Sequence, residues 1–427
     1  KESSKFLYSD WMNNVTNGWL NNASGGNFSE GLPYTFTDLY GKLSFNGSRG
    51  SKINLFGFSF NDKVNYRQVS DLHWNSSGFG SKFLLIPSNS PILVEGNFSF
   101  SNYKISLEEA AKEEPRTSNI GGFNMGLDFT YFLAKDELKY GVEVSGFETD
   151  FNFYNSVSRK ISQNDFTTEL AAYVKYKKIF DNLLIEPSFR VQYYASLSTF
   201  SPEPRLGMKY NATDNLRFKF AGGFYSQNLI SAVSDRDVVN LFYGFLSGPD
   251  NLQEEFDGKE VTDALQKARP LILGMEYDLT NRINVNLESY YKQFNQLTNI
   301  NRNKLYDDTP EYDDKPDYLK KDFIVEKGDA FGGDFLLKYE YKRWYVWFVY
   351  SLGFVNRFDD VLTDENGNKI KYTPHFDRRH NLNLVGSFTF GKNLNWEADM
   401  RWNFGSGFPF TQTQGIFEKY TFQDGIN

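Results

Sequence analysis

Apolar and polar residues alternate with a period of two along most of this 427-residue chain. Leu394, Trp396, Ala398, Met400, Trp402 and Phe404 share one parity, while Asn395, Glu397, Asp399, Arg401 and Asn403 share the other. The same holds for Leu216, Phe218, Phe220 and Phe224 against Arg217 and Lys219. It holds again for Ile283, Val285 and Leu287 against Asn284, Asn286 and Glu288, and for Phe331, Phe335, Leu337, Tyr339 and Tyr341 against Asp334, Lys338 and Glu340. Successive side chains of a strand point to opposite faces, so each segment has one apolar and one polar face. A β-sandwich alternates as well, so strand length and connections must discriminate. The alternating runs are longer than the usual 5–6 residues, roughly, and suit strands that cross a membrane in about 9–11.

The connections are asymmetric. Ser48–Ser51, Leu133–Asp136, Asp181–Asn182, Thr213–Asn215, Thr280–Arg282, Lys342–Arg343 and Lys392–Asn393 are tight turns, and their Asn, Asp and Gly residues suit such turns. Gln227–Gln266, Gln296–Ala330 and Arg357–Asp377 are long. Short turns on one side and long loops on the other mark outer-membrane barrels. The pattern predicts a partial strand near Lys5–Met12, then hairpins at 35–47/52–62, 71–86/92–105, 119–132/137–150, 165–178/183–196, 203–212/215–226, 267–278/282–295, 330–341/344–356 and 379–390/394–405. The fold class expected is all-β, a transmembrane antiparallel β-barrel of about seventeen strands. Bacterial single-chain barrels have even strand numbers. The chain, 1–427, is therefore read as one barrel domain truncated at both ends. Ring pairs Tyr193/Tyr194, Tyr290/Tyr291, Trp344/Trp347 and Phe408/Phe410 lie near strand ends, where interfacial girdles would use them. One helix is expected, from the capping box Ser106-Leu107-Glu108-Glu109 followed by Ala110, Ala111 and Lys112.

Composition narrows the function. Aromatics make up 18% of the residues, which argues against disorder, and no apolar run is long enough for a membrane helix. Cys is absent and there are three His, so thiolate chemistry is excluded and zinc is not expected. A net charge of -8 argues against nucleic-acid binding. Lys1 is not followed by a signal segment, so the chain is expected to be processed or a fragment. Nucleophile-elbow, P-loop and dinucleotide motifs are lacking, so neither catalysis nor a cofactor is expected.

On the polar parity, Arg217, Lys219, Glu288, Asp334, Glu397, Asp399 and Arg401 are expected to face the lumen. An Arg or Lys facing lipid at the midplane would cost about 2–4 kcal/mol. They would line a polar conduit or the wall around a plug, or pair with one another across neighbouring strands. The three long loops hold 8, 9 and 5 carboxylates against 2, 6 and 3 basic residues, more negative together than the whole chain. Asp307, Asp308, Glu311, Asp313 and Asp314 could supply hard oxygen ligands to Ca²⁺, and Asp364-Glu365-Asn366-Gly367-Asn368 hints at the same. Solvated acidic loops, with Asn366-Gly367 as a tight turn, account for both more simply. In the longest loop, Phe242, Tyr243 and Phe245 are candidate ligand-contacting rings; the alternatives are a loop folded back on itself or rings inserted at the membrane interface.

Two words in the sequence carry a family resemblance. Pro374-His375-Phe376-Asp377-Arg378-Arg379-His380-Asn381-Leu382 opens a strand, and Trp402-Asn403-Phe404-Gly405-Ser406-Gly407-Phe408-Pro409-Phe410-Thr411 closes the next. This resembles the late barrel region of TonB-dependent outer-membrane receptors of the Bacteroidota type. The resemblance implies a barrel of about 22 strands enclosing a globular plug, so one strand is expected before Lys1 and four after Asn427. It implies a receptor that binds a scarce nutrient (siderophore, vitamin, oligosaccharide or peptide) and imports it with energy from TonB, acting through the plug. The partners implied are membrane lipid, TonB, the small nutrient and, as an option, a surface lipoprotein lid. The chain shows no TonB box, plug or closing strands. Asp377, Arg378, Arg379 and His380 read as a loop-anchoring cluster at the outer rim. A passive porin-like channel is the nearest rival reading, and a soluble β-rich carbohydrate-binding protein a more distant one.

Overall fold

The alternation builds one antiparallel meander. The computed structural model describes residues 2–8, 34–66, 70–109, 114–154, 159–232, 242, 244–301, 303–359 and 363–409. The strands are β1 (Glu2–Tyr8), β2 (Tyr34–Asn46), β3 (Lys52–Tyr66), β4 (Ser70–Leu85), β5 (Ile92–Glu109), β6 (Arg116–Leu133), β7 (Asp136–Tyr154), β8 (Lys160–Ile179), β9 (Leu183–Tyr194), β10 (Thr199–Asn211), β11 (Leu216–Gly223) and β12 (Tyr225–Gln227). After them come β13 (Ile230–Ala232), β14 (Gly244–Leu246), β15 (Glu255–Phe256), β16 (Lys259–Glu260), β17 (Gln266–Thr280), β18 (Ile283–Ile300), β19 (Phe323–Tyr341), β20 (Trp344–Phe358), β21 (His380–Phe390) and β22 (Trp396–Gly405). Each barrel strand pairs with its sequence neighbour, with β13–β16 set apart as two small hairpins. Since β11 and β12 both pair with β17, they are one strand interrupted at Phe224, and the sheet has seventeen strands among the described residues.

The apolar parity lies on the exposed face. Leu273 of β17 is 52% exposed and Val142 of β7 is also 52% exposed, while Leu271, Leu287, Met400 and Trp402 share that face. A water-soluble sheet would bury this parity, and a sheet facing lipid presents it outward. Leu273 sits mid-strand, opposite Phe220 and Ser289. Leu273→Arg is expected to destabilise the barrel by about 2–4 kcal/mol in lipid vesicles. Urea unfolding by tryptophan fluorescence measures this, and a change within error would place the residue away from the hydrocarbon.

The strands outrun a bilayer. The 20 residues of β8 extend roughly 65 Å, more than about 30 Å of hydrocarbon requires even with tilt. Their long-loop ends therefore project beyond the membrane, and this displaces several sequence expectations. The β18–β19 connection covers only residues 301–322, because the flanking strands continue to Ile300 and Phe323. The expected helix at Ser106 is the end of β5: Ser106 and Leu107 pair with His73 and Leu72 of β4, and Leu107 is buried. Its local capping signal is outweighed by strand pairing and burial; Ala110–Lys112 lie outside the described residues. The girdle expectation is corrected for one ring of each adjacent Tyr pair, because adjacent residues must face opposite ways, while Trp344 and Phe408 are exposed. Tyr193 packs on Phe200 at 4.4 Å between ring centroids, while Tyr194 is 1% exposed and shares a 2.9 Å hydrogen bond with Ser226. Tyr291 is exposed, whereas the Tyr290 ring turns inward over Gly332, where an added Cβ would meet its hydroxyl at 2.7 Å. Phe410 and Thr411 are outside the described residues.

Candidate functional site

The polar face of the sheet, opposite the exposed apolar one, is a ladder of paired charges. Arg217 pairs with Asp278 and, at 3.4 Å, with Glu276, which Lys219 also reaches at 2.8 Å. Glu288 and Asp334 are direct cross-strand neighbours, a like-charge pair. The Glu288 stem leans over Gly274 from one side and the Lys219 stem from the other, each within van der Waals reach of a Cβ placed there. Glu143 takes hydrogen bonds from Arg190 at 2.9 Å and Asn124 at 2.8 Å. On β22, Glu397 accepts from Ser387 at 2.8 Å, while Asp399 and Arg401 are exposed on a strand that has one pairing neighbour among the described residues.

Near the long-loop end this polar face turns apolar. Leu72 and Trp74 of β4, Tyr103, Ile105 and Leu107 of β5, Phe151 and Phe153 of β7 and Ile161 of β8 stand on the inward parity. They receive loop A, the connection between β12 and β17. Its Ile230, Phe242 and Leu246 are at most 3% exposed and join Ile300 of β18 and Phe323 of β19 in the same cluster. Each such side chain contributes about 1.5–3 kcal/mol on burial, set against the entropy of ordering the loop.

Polar contacts fix the seat. Phe245 N donates to Ser118 Oγ at 2.9 Å, Thr149 and Ser247 share a 3.2 Å hydroxyl contact, and Gln163 Nε2 donates to the carbonyls of Ser247 (2.7 Å) and Gly248 (2.9 Å). Asn228, 1% exposed, accepts from Gly248 N and donates to Thr167. Gly248 has φ +51°, and a Cβ there would sit 2.7 Å from the Asp165 carboxylate, so both backbone and space require glycine. Of the two readings of these rings, Phe242 follows the folded-back loop: it is 1% exposed and packs on Phe151. Phe245 is half-buried, edge-on to Tyr103, and Tyr243 lies outside the described residues.

Loops B (301–322) and C (359–379) lean on loop A. Gln253 N bonds Phe323 O at 3.0 Å, and Asp322 N and Phe323 N both bond Asn251 O at 3.1 Å. The acidic run of loop B faces lysines: Asp308 pairs with Lys321 at 3.0 Å and Lys320 at 3.7 Å, and Asp307 with Arg159 at 3.6 Å. Asp364 closes its own turn, accepting from the backbone N–H groups of Asn366 (2.9 Å) and Asn368 (2.7 Å). The base of loop C is built on Glu326, 2% exposed, which accepts from Tyr372 Oη and from Arg357 at 3.2 Å. Periodicity put Glu326 inside a long loop; its place near the start of β19, on the buried side, was missed.

Asp257, at the β15–β16 turn, meets Lys369 of loop C at 2.8 Å and Lys327 of β19 at 3.1 Å, and both cations lie over the Phe256 ring. The hydrogen bonds from Lys369 and then Lys327 hold the Asp257 carboxyl down to about 2 from its ordinary 3.8. A depressed carboxylate stabilises the folded form above its unfolded pKa and loses that contribution as pH falls through the folded value. The bridge is therefore expected intact above pH about 4 and broken as pH falls towards about 2. NMR titration of a ¹⁵N-labelled Lys369 ammonium measures this; a midpoint near the ordinary carboxylate value would overturn it.

The two sequence words close on each other. The Arg378 guanidinium lies 4.2 Å over the Phe408 ring, and a Cβ at Gly405 would meet Arg378 at 2.6 Å. His380 N donates to Ser406 Oγ (3.1 Å), Ser406 N donates to His380 O (2.9 Å), and His380 Nδ1 meets the Tyr350 hydroxyl at 2.8 Å. Asp377, 4% exposed, accepts from Arg379 at 3.4 Å, and Arg379 stacks over Phe354. The expected hairpin 379–390/394–405 already brings the two words to one end, but the side chains that join them are not legible in it.

The fold is that of the barrels of outer-membrane receptors and transporters. The alcaligin outer-membrane receptor FauA of Bordetella pertussis aligns with a TM-score of 0.54 at 12% identity, covering 87% of this chain and 60% of that one. The FrpB iron transporter of Neisseria meningitidis (F3-3 variant) aligns at 0.59 and 11% identity, covering 86% and 59%. The copper transporter OprC aligns at 0.56 and 11% identity, covering 88% and 59%. This chain thus spans about 60% of their length. No protein-family model and no curated protein matches the sequence.

Proposed function

We propose that the chain forms most of the barrel wall of a TonB-dependent outer-membrane receptor that binds a scarce nutrient at the long-loop face and imports it with TonB-derived energy. The observation that carries this reading is a seventeen-strand meander with an apolar exterior, a charged interior and a mouth crossed by packed loops. Its fold relatives are an alcaligin receptor and iron and copper transporters. The nutrient class ranges over siderophores, vitamins, oligosaccharides and peptides. A plug domain would fill the lumen against the charge ladder, and a surface lipoprotein could cover the mouth. The loop crossing favours a selective receptor over an open porin, since a broad passive pore gains nothing from an occupied mouth.

The test uses the full-length protein in its own cells. The exposed tip residue Asn366, as the single cysteine Asn366→Cys, is expected to react with a membrane-impermeant thiol reagent on intact cells, with the protein in the outer-membrane fraction. Absence of labelling together with a soluble fraction would overturn the placement. Growth on limiting nutrient that survives loss of TonB would return the reading to a passive channel.

A further inference from the structure

We infer that the mouth is built in two tiers: loop A is a fixed crossbar, and the tip of loop C is a releasable flap latched to it at Asp257. This rests on the receptor reading only for its use, since both tiers are features of the fold. One apolar cluster contains residues of β4, β5, β7 and β8, residues of loop A, and Ile300 and Phe323 of β18 and β19. Between β8 and β18 the sheet runs through β9, β10, the interrupted β11–β12 strand and β17. Loop A therefore spans a chord of the mouth and is seated on both walls. Its described residues up to Gly248 are held by apolar contact plus the buried hydrogen bonds of Ser118, Thr149, Gln163 and Asn228, all at most 8% exposed. Such contacts are insensitive to salt.

The flap is held otherwise. Residues Thr363–Asn368 are exposed, and the turn satisfies itself through Asp364. It meets the crossbar through Lys369, whose ammonium pairs with Asp257, 49% exposed on its side chain, and lies over the Phe256 ring. Exposed ion pairs are weak and screened by salt. The base of the flap stays fixed by Glu326, so release swings the tip rather than the whole loop. Asp257 is thus a latch between a rigid element and a mobile one, and a ligand or partner competing for Lys369 would open it.

Amide exchange by mass spectrometry on the purified full-length protein tests this, and the readout needs no ligand. Peptides covering 244–248 are expected to stay protected at about 0.05 M and about 1 M NaCl, in the wild type and in Asp257→Asn alike. Peptides covering 363–371 are expected to exchange about two- to fivefold faster in Asp257→Asn, and faster at high salt in the wild type. Exchange at 244–248 as fast as at 363–371 would overturn the crossbar. An unchanged flap in Asp257→Asn would overturn the latch. Because exchange is read on the isolated protein, a failure here is distinct from a failure of the transport reading, which shows in fractionation and uptake.

Discussion

Phe151→Ala is expected to destabilise the seat of loop A by about 3–5 kcal/mol and to free the loop from the wall while the barrel stays folded. Phe151 is fully buried, stacks on Phe153 at 6.1 Å and meets Phe242 at 6.5 Å between ring centroids. Gly244 backs directly onto its ring, where an added Cβ would sit 2.7 Å from it. Truncation removes the centre of a cluster that strands from two sides of the sheet hold open, so collapse into the void is limited. Thermolysin reads the outcome, because it cuts at apolar residues and Leu246 is buried in the wild type. Rapid cleavage at 244–248 with retention of the compact, heat-modifiable barrel band is the expected pattern. Resistance equal to the wild type would mean that the polar contacts alone hold the loop.

Glu326→Ala should have a comparable effect on loop C. Its carboxylate, 2% exposed, accepts from Arg357, from the Tyr372 hydroxyl and, at 3.5 Å, from Asn299. Removing it leaves a partly buried guanidinium and a buried-side hydroxyl without that acceptor, a loss of about 3–5 kcal/mol for a broken buried pair. Glu326→Gln keeps the shape and one acceptor, and is expected to lose about 1–3 kcal/mol. The backbone bonds between Arg357 and Tyr372, 2.9 and 2.8 Å, report the result through amide exchange at those two residues. Protection unchanged in Glu326→Ala would show that Lys371–Asp329, at 2.9 Å, carries the base instead.

The candidate site was legible to different depths. That Arg217, Lys219 and Glu288 share a face follows from parity, and they do line one side of the sheet. Which of them pair does not follow, because the register of β11 on β17 decides that Arg217 meets Glu276 and Asp278. The apolar residues Phe151, Phe153 and Ile161 on the polar parity were a readable signal: a lumenal face that turns apolar must be covered. For Phe242 the sequence leaves an exposed ring and a folded-back loop both open, because nothing local says what a loop folds against.

The sequence by itself determined the barrel: strand periodicity of two, the long runs and the asymmetry of turns and loops are local properties, and a strand whose two faces differ can satisfy itself only in a sheet with two different sides. It also marked Asp377–His380 and Trp402–Phe408 as special words. Only the tertiary structure decided that these words interlock, that Ser106–Glu109 continues a strand and that Glu326 is buried. It alone seated loop A across the mouth. The reason is physical. Side-chain direction along a strand is set by neighbouring residues, whereas burial of a loop, a capping box or a carboxylate is set by partners tens to hundreds of residues away.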